Sequence, residues 1–155
     1  MAVYRGPVRR WLRGRSRHSQ FARLLGKPGF DPDDVRAEVA GRVEHGPAGA
    51  DPECRGDGAV ALLPGRQLGW VAPVAAGRPP GPDSMIALPD RLDGHVEAAW
   101  VTAWSLEAGE LGIHYVIPPQ DALRGRRVLR VTGDPAALAD FVARAAPVLS
   151  GRRRD

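Results

Sequence analysis

The last third of the chain, from Val96 to Leu149, places the tightest limits on the fold. Val128–Thr132 alternates apolar and polar residues as a strand does. Gly133 turns, Asp134 can accept hydrogen bonds from the free amides of a helix start, and Pro135 suits the first helical position. Leu138, Phe141, Val142 and Ala145 then recur at helical spacing and mark a buried stripe, which Pro147 ends near Ala146. Upstream, Leu111–Ile117 reads as a strand answering an earlier one across the turn Glu107–Gly109. The earlier segment, residues 94–106, fits two periods. As a helix it aligns Val96, Trp100 and Trp104. As a strand it puts Trp100, Thr102 and Trp104 on one face, and its β-branched and aromatic content favours the strand.

Further upstream the apolar runs are short. Ala59–Leu63 and Gln67–Val74 flank Pro64-Gly65 and predict a hairpin, and Met85–Leu88 is a candidate strand. Residues 46–58 and 76–84 are loops by composition, in a chain of nineteen Gly and fifteen Pro. A first short helix is expected over Phe21, Leu24 and Leu25, capped by Ser16 and stopped by Gly26 and Pro28. A second is expected from Asp31 through the stripe Val35, Val39 and Val43 to Gly46, with a Glu38–Arg42 ion pair on its surface. The expected fold is therefore α+β. It has a small antiparallel sheet of about five to six short strands, with a C-terminal helix and one or two N-terminal helices packed on or beside it.

Charge divides the chain into three parts. Residues 1–27 form an Arg-rich arm with eight basic and no acidic side chains. Residues 28–151 form a single domain with eleven basic and seventeen acidic ones, and residues 152–155 are a basic tail. Arginine is attracted to polyanions and recognises phosphate by forked hydrogen bonds. Arg9, Arg10, Arg13, Arg15, Arg17, Arg23 and Lys27 are thus the expected contacts to a polyanion or an acidic partner, with Trp11, Trp100 and Trp104 as interface candidates. Twenty-one of the twenty-two basic residues are Arg, on a background rich in Ala, Gly and Pro. That bias points to a GC-rich, bacterial source. The basic N-terminus never gives way to the apolar core of a secretory signal, and no apolar run approaches a membrane span, so a cytoplasmic location is expected.

Chemistry-bearing motifs are scarce. Cys54 is the one cysteine, which excludes an intramolecular disulfide and a multi-cysteine zinc site. A Cys54–His45 nucleophile pair is disfavoured by Glu53 and Asp57, whose charges oppose a thiolate. His95-Val96-Glu97 matches one fragment of the zinc deaminase signature, but the paired cysteines are lacking. No metal and no cofactor is expected. The function expected is that of a non-enzymatic accessory or structural protein, which binds a protein partner and uses its arm on a polyanion or an acidic surface. The alternative is a small-molecule-binding or enzymatic domain with a pocket over the sheet near Trp100, Trp104, His114 and Tyr115.

Overall fold

The computed structural model describes residues 19–74, 91–118, 125–149 and 152–153. Their architecture is mostly β, which corrects the α+β expectation and its count of about five to six strands. Seven antiparallel strands form one sheet: β1 (Ala37–Pro47), β2 (Cys54–Leu63), β3 (Gln67–Pro73), β4 (Arg91–Glu97), β5 (Val101–Glu107), β6 (Glu110–Val116) and β7 (Arg126–Thr132). Their order is β4-β3-β2-β1-β7-β6-β5, and a two-residue strand, β8 (Arg152–Arg153), adds in parallel to the outer side of β5. Two helices accompany the sheet, α1 (Gln20–Leu25) and α2 (Pro135–Ala145).

The expected helix over residues 31–46 is the main local correction. Asp31 does cap a turn and Pro32 does open it, but the turn is a single 3-10 turn, Pro32–Asp34, and the chain is extended from Ala37. Valines spaced by four satisfy a period of 2 as well as one of 3.6, so Val39 and Val43 fit the same face of a strand. Pairing of β1 with β2 on one side and β7 on the other decides between the two. Glu38 and Arg42 are then two pleats apart and cannot pair. Glu38 instead reaches α1, where its Oε2 accepts from the Ser19 hydroxyl and from the amide of Phe21. Ser19, and not Ser16, caps that helix, its Oγ accepting from the Ala22 amide. Gly26 ends it with positive φ, as expected.

Connectivity forces the sheet to curl. Six spacings of about 4.8 Å would hold β4 and β5 roughly 29 Å apart in a flat sheet. Yet only the turn Ala98–Trp100 separates Glu97 from Val101, and a four-residue step spans at most about 14 Å. The ladder of antiparallel pairs also makes β4 and β5 run in the same direction. The chain therefore leaves one sheet edge, kinks through the 3-10 turn, and continues as the other edge. The concave face holds Val39, Val43, Val60, Leu68, Val96, Ile113, Leu129 and Val131. It is covered by Leu138, Phe141, Val142 and Ala145 of α2, the stripe and the Asp134 cap both as read from the sequence. On the convex face Phe21 of α1 packs with Ala59, Ala61 and Val71.

A bulge in β5 corrects the expected face shared by Trp100, Thr102 and Trp104. Val101 pairs with Tyr115 and Ala103 with His114, so Thr102 is the extra residue and the inward face changes parity behind it. Trp100 lies in the 3-10 turn, Thr102 is exposed, and Trp104 points into the core opposite Ile113. The hairpin that follows turns through Ala108 and Gly109, both at positive φ. Strand β4 was not expected as a strand of its own: residues 94–97 fall inside the one strand expected over 94–106, which the 3-10 turn divides into the end of β4 and β5. The expected strand Met85–Leu88 lies outside the described residues.

Candidate binding cleft at the mouth of the curled sheet

Where β1 ends, β2 and β7 begin and β6 ends, the concave face carries polar side chains in place of aliphatic ones. Register explains their meeting. Tyr115 is the direct cross-strand partner of Arg127, and His45 is that of Leu129, two residues further along β7 on the same face. His45 Nε2 lies 2.5 Å from the Tyr115 hydroxyl, and Arg127 Nη2 donates to Glu53 Oε1 at 2.5 Å. Arg127 also faces the Tyr115 hydroxyl, close enough to act on its ionisation. Two contacts thus lie side by side, Glu53–Arg127 and Tyr115–His45.

In the contact between His45 Nε2 and the Tyr115 hydroxyl either group can donate. The His45 pKa is lowered from 6.5 to about 4, by burial first and by the positive charge of Arg127 second, with Glu53 opposing the change. The imidazole is neutral at pH 7 and carries one proton. Nδ1 is buried and has no hydrogen-bond partner among the described residues. Burial raises the Tyr115 pKa, against the opposing effect of the neighbouring Arg127, so the phenol keeps its proton. Burial also works against the charge of Arg127, but its contacts with Glu53 and Tyr115 outweigh this and hold its pKa above the usual value.

Aromatic rings flank this chain. Trp70 stacks on His45 with centroids 3.9 Å apart, and its indole lies flat on β4 because residue 94 is glycine. A Cβ at Gly94 would come within 2.8 Å of the Trp70 ring. Tyr115 faces Trp100, which in turn faces His95. Between these groups opens a cleft of about 340 Å³, lined by His45, Trp70, Gly94, His95, Tyr115, Ile117 and Arg127. That volume is at the small end of the roughly 300–1,000 Å³ usual for ligand sites.

Of the four residues expected around a pocket, Tyr115 lines this cleft, Trp100 faces Tyr115 without lining it, and the other two lie elsewhere. Trp104 is buried in the core with Arg153 5.4 Å over its ring. His114 lies on the opposite face of β6 from Tyr115, and its carbonyl accepts from Thr102. In the arm, Arg9, Arg10, Trp11, Arg13, Arg15 and Arg17 lie outside the described residues. Arg23 is exposed on α1, and Lys27 forms an ion pair with Asp93 of β4 at 2.7 Å. Cys54 is fully buried as the cross-strand neighbour of His45, its Sγ 3.9 Å from the His45 carbonyl oxygen. The His45 ring is turned to Tyr115, so the two do not form a nucleophile–base pair. Among the described residues no three His, Cys, Asp or Glu side chains gather as a metal site requires. No helix among them is long and apolar enough to cross a membrane.

His45, Glu53, Trp70, His95 and Arg127 were not anticipated as a group. Comparison of the chain with known protein families, with curated proteins and with solved structures finds no match.

Proposed function

We propose that this protein is a non-enzymatic binding domain whose cleft at the mouth of the curled sheet takes a small molecule. The observation that carries this reading is the convergence of Arg127 and the Tyr115–His45 pair on a concave surface lined by Trp70, with Trp100 stacked against Tyr115. Pre-ordered polar groups between aromatic walls fix the orientation of a ligand at little entropic cost. With His45 neutral and Arg127 paired to Glu53, the site offers recognition through hydrogen bonds and stacking.

The test is a fragment titration of the full chain followed through the tryptophan indole N–H signals in two-dimensional NMR. Ligands of the cleft should move the Trp70 and Trp100 signals and leave Trp104, which is sealed in the core, unchanged. Arg127→Gln should weaken those shifts. Fragments that move no indole signal, or that bind the Arg127→Gln variant equally well, would refute the reading.

The charge layout favours a second role for the arm. Eight cations without an acid precede a body of eleven basic and seventeen acidic residues, and such an arm suits a polyanion or the acidic surface of a protein partner, in the cytoplasm. Replacing Arg9, Arg10, Arg13, Arg15 and Arg17 by Gln should abolish salt-sensitive retention on a polyanion column. Unchanged retention would sink this second role.

A further inference from the structure

Neighbouring rings around the cleft face one another at shallow angles. Trp70 and His45 are inclined by 23°, His45 and Tyr115 by 23°, Tyr115 and Trp100 by 21°, and Trp100 and His95 by 27°. Five rings from β1, β3, β4, β6 and the 3-10 turn thus form a ladder in which each ring stacks on the next. Nothing in the strand pairing requires this, because the ladder spans both edges of the sheet. A flat molecule can bring its face into stacking contact with such rings, whereas a puckered saturated ring holds its axial hydrogens in the way.

Charge narrows the class further. Among the described residues the one formal cation lining the cleft is Arg127, and Glu53 already neutralises it. A carboxylate brought here would meet the Glu53 carboxylate and give up its hydration for a guanidinium that is already paired. An uncharged acceptor avoids both penalties. A guanidinium has five N–H donors, and the bond to Glu53 leaves some for a ligand.

From this ladder and this paired cation we infer that the ligand is a flat, uncharged one- or two-ring molecule bearing a carbonyl-type acceptor. It stacks on the ring faces that line the cleft, with the acceptor on Arg127. The inference rests on the cleft being a ligand site, and the test separates the two. Benzamide, benzoate and cyclohexanecarboxamide are titrated into the full chain, and the Trp70 and Trp100 indole signals give each dissociation constant. Benzamide should bind more tightly than either of the others by about tenfold, the ratio that stacking on one or two ring faces supplies. Equal binding of cyclohexanecarboxamide would overturn flatness, and tighter binding of benzoate would overturn neutrality. Either result leaves the cleft a ligand site of another class. If none of the three moves either signal, the inference and the ligand-site reading both fall.

Discussion

Lowering the pH tests the buried imidazole most sharply, because His45 is neutral in the folded chain down to about pH 4. At pH 7.5 the residue is neutral in both the folded and the unfolded chain and adds no pH dependence. Below 6.5 the unfolded chain takes up a proton that the folded chain refuses until about pH 4, so stability falls as pH falls through that window. The gap between 6.5 and about 4, at about 1.4 kcal/mol per pH unit, sets the full loss at about 3 kcal/mol. Other groups titrate in the same range, so the comparison is with His45→Gln, whose stability at neutral pH is not the readout. Urea unfolding at points from about pH 7.5 to about pH 4.5 gives a stability slope for each protein. The wild type should lose more than the variant by roughly 2–3 kcal/mol over that range. Parallel slopes would show that His45 takes up its proton equally in both states, and the buried neutral imidazole would have to be given up.

Three further substitutions probe the architecture. Tyr115→Phe leaves the buried His45 Nε2 without its partner, so chemical denaturation should show a loss of about 1–3 kcal/mol. A change within about 0.5 kcal/mol would mean the hydrogen bond contributes nothing to stability. Gly94→Val forces a side chain against the Trp70 ring and should cost about 1–3 kcal/mol, with a change in tryptophan fluorescence that an effect on β4 alone would not produce. Phe21→Ala removes the ring that covers Ala59, Ala61 and Val71 on the convex face and should destabilise by about 3–5 kcal/mol in thermal or urea unfolding, against almost no effect if α1 were an ornament of the arm.

What could be read from the chain alone was whatever is decided locally. The α2 helix, its Asp134 cap and its four buried residues depend on neighbours within a few positions, and each was legible. So were the Pro64-Gly65 hairpin and the Glu107–Gly109 turn, where glycine and proline fix the local geometry. The segment from Val35 to Gly46 was not, because its valines satisfy two periods and the deciding partners are some twenty residues downstream in β2 and about ninety downstream in β7. Strand β4 escaped notice as a strand of its own for a related reason. It is an edge strand with a single fully buried side chain, Val96, and with Gly94 where Trp70 needs room, so it shows no apolar alternation. Likewise the bulge at Thr102 leaves no sequence mark, yet it decides that Trp104 is core.

Of the residues that line the cleft, only Tyr115 is legible in the sequence as a pocket residue, with Trp100 packed against it. His45 had drawn attention as a base for Cys54 and His95 as part of a deaminase fragment, each by sequence neighbours that prove irrelevant in space. Glu53, Trp70 and Arg127 carried no signal, since a loop acid, an aromatic in an apolar run and one arginine among twenty-one are all unexceptional. Their juxtaposition is made by strand order and register across four strands and by the kink that carries the chain from β4 into β5.

The most direct test of the account is a crystallographic fragment screen of the full chain with small flat ring compounds. Fragment density should gather over Tyr115, stacked on the ring faces that line the cleft, with an acceptor atom on Arg127 and the Glu53–Arg127 and Tyr115–His45 contacts intact. Fragments bound elsewhere, with this cleft empty or filled by the protein's own side chains, would contradict the central claim that the mouth of the curled sheet is a ligand site.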